Sequence, residues 1–286
     1  MPIGPPLNPD CISRTAPAKV NLALAVGPPR EGDGLHPICS WFAPIDLADE
    51  LLITRLEDDR LSRYAILWHE RALRQTPIDW SISKDLAVRA HLLLEQEVGR
   101  ALPVQLKLTK RIPVGGGLGG GSSNAAAMLL GVRDLFELSI PDDRMVQLAL
   151  TLGSDVPFFL KAGPAVVAGV GERIDRTPAV QSGAALVLLF PSFGCPTGAV
   201  YRAFDELRAP AIREREVMAM AQRASVVDAE LFNDLAAPAE RVAPDLADLR
   251  ARAASLAERP VHITGSGSTM FIVCENGPRQ AADLSA

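Results

Sequence analysis

Apolar and polar residues alternate over Val104-Gln105-Leu106-Lys107-Leu108-Thr109, the period-two pattern of a strand with one buried face. The same period runs through residues 16–26, where Val20, Leu22, Leu24 and Val26 share one face and Lys19, Asn21 and Ala23 the other. Residues 51–57 predict another strand, and residues 184–190, apolar throughout, a buried one. A helical period takes over at 84–98, apolar at Leu86, Ala90, Leu93 and Leu94. The alanine-rich run behind Asn124 predicts a helix to about Leu138, and Pro141 opens another over about 142–152. Residues 156–160 look like an apolar strand behind a turn, 191–201 lead into a helix, and 262–273 form a strand, a glycine turn and a strand. The stretch 58–83, with Trp68 and Trp80 among charges, has no assignable pattern. After 273 the chain ends at Ala286, with no final helix expected.

A chain of 286 residues holds one large or two medium domains, and two lobes are expected, 1–165 and 166–286. Its 48% hydrophobic and 22% charged residues suit a globular protein, and a net charge of −5 argues against a nucleic-acid or polybasic membrane partner. Any anionic ligand must then be held by a local device. Cys11, Cys39, Cys195 and Cys274 form no C-x-x-C pair, so neither a disulfide framework nor a zinc site is indicated, and reduced cytosolic thiols fit. The proline-rich lead-in 1–10 lacks the regions of a signal peptide, and no apolar run is long enough to span a bilayer.

Such a local device is present between the strand at 104 and the helix behind Asn124. Pro113 and Val114 lead into Gly115, Gly116, Gly117, Leu118, Gly119, Gly120 and Gly121, six glycines in seven positions, followed by Ser122, Ser123 and Asn124. Glycines reach left-handed backbone angles and let an anion touch main-chain N–H groups. Ser-Ser-Asn can cap the following helix, whose N–H groups and dipole then point into the loop, where a polyphosphate would sit. A flexible Gly/Ser linker is the bland alternative, and linkers are not usually clamped between a strand and a helix. The run is not a Walker A loop, because no Gly-Lys-Ser/Thr follows at the required spacing.

Taken whole, Pro-x-Gly-Gly-Gly-Leu-Gly-Gly-Gly-Ser-Ser-Asn resembles the nucleotide loop of the GHMP small-molecule kinases, and its double triple-glycine is most similar to one branch that acts on a cytidyl substrate. Four further segments match that branch in order. Pro17-Ala18-Lys19-Val20-Asn21-Leu22 resembles its opening motif, which implies that Lys19 is catalytic and Asn21 touches substrate; by pattern alone they could be the wet face of a strand. Arg30 to His36 resembles Arg-x-Asp-Gly-Tyr-His with one extra residue and Leu35 in place of the tyrosine that stacks on cytosine, which leaves His36 as the base contact. Gly153-Ser154-Asp155-Val156-Pro157 is similar to the catalytic motif and implies that Asp155 is the base; by composition Asp155 is a turn residue. The loop at 191–201 places Thr197 and Tyr201 on substrate positions, although Tyr201 could equally be a core tyrosine, and 262–273 is similar to the third family motif. Residues 232–235 resemble a structural segment of the family.

The resemblance implies an α+β, two-lobed fold, with a ribosomal-protein-S5-like N-terminal lobe, a ferredoxin-like C-terminal lobe and the active site between them. It implies ATP-dependent phosphorylation of the 2-hydroxyl of 4-diphosphocytidyl-2-C-methyl-D-erythritol, a step of non-mevalonate isoprenoid synthesis, with Mg²⁺ whose ligands it does not identify. Residues 113–123 would bind ATP. The expected partner is this small molecule alone, in a cytoplasmic monomer or weak homodimer. Another GHMP kinase, for homoserine, a sugar or a mevalonate-type substrate, is the alternative; a nucleotide-binding module without catalysis would be expected to have lost Lys19 or Asp155, and both are present.

Overall fold

The computed structural model describes residues 10–180, 184–207, 211–275 and 277–285, so the lead-in before Asp10 lies outside the described residues. In chain order the elements are β1 (Cys11–Val26), β2 (Ile38–Arg55), β3 (Arg63–Trp68), α1 (Leu86–Val98), β4 (Val104–Lys110), α2 (Gly120–Leu135), α3 (Asp142–Leu152), β5 (Ala165–Gly169) and β6 (Arg173–Arg176). Then follow β7 (Ala185–Leu189), α4 (Thr197–Glu206), α5 (Glu214–Arg223), β8 (Phe232–Asn233), α6 (Ala236–Val242), α7 (Pro244–Ala257), β9 (His262–Ile263), β10 (Met270–Cys274) and α8 (Pro278–Ser285). They form two compact units. Of the described residues, the first holds those within 1–18, 46–114 and 119–161, and the second those within 19–45, 115–118 and 162–286. The expected single boundary near 165 therefore lies close to the last crossing only; β1, β2 and the glycine loop each give residues to both units.

In the first unit β4 pairs antiparallel with the second half of β2, Glu50 opposite Thr109 through Arg55 opposite Val104, and β3 runs parallel to β4. The alternation of β4 appears as predicted, with Val104, Leu106 and Leu108 inward against Leu94, Met128, Val132 and Leu148. Asp85 starts α1 by accepting from the N–H groups of Ala87 and Val88, and Gly99 ends it at φ 67°. β3 occupies part of the stretch whose sequence shows no pattern. Its register against β4, Arg63 opposite Gln105 through Trp68 opposite Lys110, is a property of pairing rather than of local sequence. Residues 156–160 are not a strand: Pro157–Leu160 is a short 3₁₀ turn. An apolar run this short does not separate strand from helix by its period.

In the second unit β5 pairs with the first half of β2 and with β6, β8 runs parallel to the end of β1, and β7, β10 and β9 make a separate antiparallel sheet. Its core joins Leu24, Val200, Phe204, Leu246, Ile263 and Ile272. β2 begins at Ile38, well before the predicted 51, because Trp41 and Phe42 are buried strand residues that Pro44, Asp46 and Asp49 separate from the later apolar run. β7 is half-buried rather than buried. A helix does follow the last strand, α8, where none was expected; α5, α6 and α7 also escape the sequence pattern.

Candidate active site

The glycine loop is built by its backbone. Gly115, Gly117 and Gly119 have φ of 76°, 80° and 70°, left-handed at every second position, the alternation that turns consecutive N–H groups into an anion-binding hollow. Gly119, not the Ser-Ser-Asn run, is the N-cap of α2, and its carbonyl accepts the Ser123 N–H at 2.9 Å. Ser122, Ser123 and Asn124 lie inside the helix. The helix thus starts within the glycines themselves, so the N–H groups of Gly120, Gly121 and Ser122, which no earlier turn can accept, sit in the loop. Ser123 Oγ is buried there without a hydrogen-bond partner, and Asn124 Oδ1 likewise.

Within the second unit Lys19 and Asn21 are both 3% exposed, which rules out the wet-face reading. The Lys19 ammonium donates to Asn21 Oδ1 at 2.7 Å and to the Gly117 carbonyl at 3.0 Å, and lies 4.6 Å from the centre of the Phe42 ring. The Lys19 N–H donates to the Leu118 carbonyl, so one residue touches the loop through both backbone and side chain. Asn21 in turn donates from Nδ2 to Ser40 and accepts at Oδ1 from Thr264, whose hydroxyl oxygen receives the Asn21 N–H. Thr264 opens the glycine turn between β9 and β10, and a Cβ on Gly117 would stand 2.7 Å from its carbonyl oxygen. The third motif thus lies against the loop within this unit, and sequence gave no sign of the Ser40 and Thr264 links. Asp155 belongs to the first unit, half-buried in the turn after α3 that the Val156 N–H closes on the Gly153 carbonyl at 3.1 Å.

His36 and Tyr201 are brought together, ring centres 5.0 Å apart, with Phe204 edge-on to His36 at 5.7 Å. His36 Nδ1 is 2.9 Å from the Gly27 carbonyl, which can only accept, so Nδ1 carries the proton; Nε2 is 3.4 Å from Asp205 Oδ1. The two residues flank a ring cluster on α4. Thr197, in the first turn of that helix, is exposed and shares a 2.9 Å hydrogen bond with Ser266 of the glycine turn. Leu35 is 51% exposed. Burial pushes the Cys39 thiol up to about 12 and raises Cys195 and Cys274 as well, so these three supply no thiolate. Among the described residues no group of three or more His, Cys, Asp or Glu could hold a metal ion.

The family model for the N-terminal domain of GHMP kinases matches residues 85–163, from α1 through the loop to the Asp155 turn. A 4-diphosphocytidyl-2-C-methyl-D-erythritol kinase of Thermus thermophilus is 37% identical over 271 residues, 94% of this chain and 90% of the relative. The enzyme of that name from Thermobifida fusca is 36% identical over 287 residues, 97% and 91% of the two chains. A crystal structure of 4-(cytidine 5′-diphospho)-2C-methyl-D-erythritol kinase, 37% identical, superposes with a TM-score of 0.75 over 96% of this chain and 93% of that one. A homoserine kinase from Cytophaga hutchinsonii, 15% identical with a TM-score of 0.67 over 99% of this chain and 90% of its own, shares the fold.

Proposed function

Because this chain belongs to the 4-diphosphocytidyl-2-C-methyl-D-erythritol kinase family of the GHMP kinases, we propose that it phosphorylates the 2-hydroxyl of 4-diphosphocytidyl-2-C-methyl-D-erythritol with ATP, in the non-mevalonate route to isoprenoids. The observation that carries this reading is the 37% identity over 94% of the chain, a match far longer than the loop alone.

The loop supports ATP as the donor, because left-handed glycines and an open helix start offer converging N–H groups to phosphate oxygens. Bound together, ATP and Mg²⁺ supply the phosphoryl group and neutralise its charge. Mg²⁺ takes few ligands from protein beside those of its phosphates, and the unpartnered Ser123 hydroxyl is the protein contact we assign it. Residues from Gly115 to Ser123 hold the phosphates by their backbone. Asp155 takes the proton from the acceptor hydroxyl. A carboxylate, though a weak base, suffices where proton transfer comes late, since positioning rather than covalent work carries phosphoryl transfer. The Lys19 ammonium stabilises the charge growing on the acceptor oxygen. Asn21, with Oδ1 filled and one Nδ2 hydrogen left, aligns Lys19 and keeps one donor for substrate. Tyr201 with His36, and Thr197, bind the cytidyl end. Four free cysteines support a cytoplasmic setting, and we take the protein to act as a monomer or weak homodimer.

An ATP-consumption assay over a panel of acceptor alcohols tests the reading. Turnover should be highest with the cytidyl compound; equal turnover of homoserine, galactose or free methylerythritol phosphate would overturn the substrate assignment.

A further inference from the structure

The antiparallel ladder between β2 and β4 has Glu50 opposite Thr109, and just beyond that pair β4 leaves the sheet for the glycine loop. The amides of Arg111 and Ile112 have then left the ladder. Asp49, the next residue of β2, accepts both at Oδ1, at 2.6 and 2.8 Å. Its Oδ2 accepts the Lys110 ammonium at 2.6 Å and the Asn124 side-chain amide, from α2, at 2.9 Å. The Asp49 side chain is 0% exposed and that of Lys110 5%.

A buried carboxylate is tolerated when its lone pairs are filled, and Lys110 alone would balance its charge. The other three bonds go elsewhere: two to the chain entering the loop and one to the helix leaving it. A run of glycines has the greatest backbone freedom of any sequence, so its affinity for phosphate depends on how far the stems restrict it before binding. We infer that Asp49 is a positioning residue of the nucleotide loop, fastening both stems so that the N–H hollow is formed before the phosphates arrive. This inference rests on the reading of the loop as the ATP site, and Asp49 does not itself touch the nucleotide.

The test is titration calorimetry of the full-length protein with the β,γ-imido analogue of ATP, beside KM for the cytidyl acceptor. Asp49→Ala combined with Lys110→Met removes the carboxylate and its buried counter-charge together. Its dissociation constant for the analogue should rise about tenfold or more while the acceptor KM stays within about twofold. Asn124→Ala keeps the ion pair and cuts only the helix-side tether, and should weaken the analogue about threefold or more. Folded variants that bind the analogue as the wild type does, at whatever cost in melting temperature, would make Asp49 a stabilising residue only and overturn the inference; so would an equal rise in both constants. If the double variant fails to fold, Asn124→Ala decides alone. Absence of analogue binding by the wild-type protein would instead sink the ATP reading, and the inference with it.

Discussion

Lys19 is an ammonium taken almost wholly out of water and set against an amide oxygen, a loop carbonyl and the Phe42 ring. Its charge is kept out of bulk water at a desolvation cost, and on the proposed reading that charge acts on the reacting oxygen. Lys19→Ala should lower kcat by about 10²-fold or more with a much smaller change in KM for ATP, whereas a change confined to KM would make it a plain binding residue. For Asp155→Asn, stopped-flow or steady-state turnover should fall by about 10²-fold or more while calorimetric ATP-analogue binding is nearly intact; near-normal turnover would leave Asp155 a turn residue. On the proposed reading Tyr201, its ring centre 5.0 Å from that of His36 at a tilt of 40°, binds the cytidyl end and Leu35 offers no second ring, so stacking would be weaker than in a two-sided aromatic site. A stacking contribution of about 1–3 kcal/mol per base predicts that Leu35→Tyr lowers KM for the cytidyl substrate and Tyr201→Ala raises it. The opposite ordering in steady-state kinetics would place the base elsewhere. At this scale the motif residues themselves were legible. The partners that aim them, Ser40 and Thr264 around Asn21, were not, because they lie 19 and 243 residues away in the chain.

In the glycine loop two requirements for glycine, left-handed conformation and close approach, fall unequally on different positions. At Gly117 they coincide, φ 80° and a Cβ that would sit 2.7 Å from the Thr264 carbonyl oxygen, backbone that cannot swing aside. Gly120 has ordinary helical backbone, and its Cβ would meet Cγ2 and Cβ of the buried Ile112 at 2.9 and 3.1 Å, so close approach alone, without a left-handed angle, is at stake there. Gly117→Ala should therefore cost about tenfold or more in ATP-analogue affinity, and Gly120→Ala distinctly less, by calorimetry on both. Equal losses would mean that flexibility rather than shape sets the loop's affinity. That a helix starts near these glycines is readable from the alanine run. That it starts at Gly119 rather than at the serines is a tertiary outcome, since Asn124 is drawn into the helix body by Asp49.

Across the whole molecule each unit holds a histidine whose pKa desolvation lowers, the buried His91 in the first and the half-buried His262 in the second. In the first, His91 is 0% exposed, donates from Nε2 to the Leu102 carbonyl at 2.8 Å and accepts the Tyr64 hydroxyl at Nδ1, also 2.8 Å. Burial lowers its pKa below the ordinary 6.5, against the upward pull of Leu102 and Glu95. In the second, burial lowers His262 despite its 2.6 Å contact with Asp228. The unfolded chain protonates these rings near pH 6.5 and the folded chain only below it, so the unfolded state binds more protons in that interval. Stability is accordingly intact above about 6.5 and is lost as the pH falls from there through the lower folded values. Scanning calorimetry should find a lower melting temperature at pH 5.5 than at 7.5, with a smaller difference in His91→Gln; an unchanged difference would acquit His91. What the sequence by itself determined is the order of its elements along the chain: a glycine loop between strand and helix, a strand carrying Lys19 before it and a turn carrying Asp155 after it. Those depend on local requirements, such as glycine at left-handed angles or a period of two, that a few neighbouring residues satisfy. Tertiary structure alone decided that 19–45 and 115–118 belong with the second half of the chain, that β3 pairs beside β4, and that Asp49 ends buried under the loop. Asp49 reads locally as one acid among several in a polar stretch. Only pairing partners brought from 61 to 75 residues away make its burial tolerable, and no local pattern encodes them.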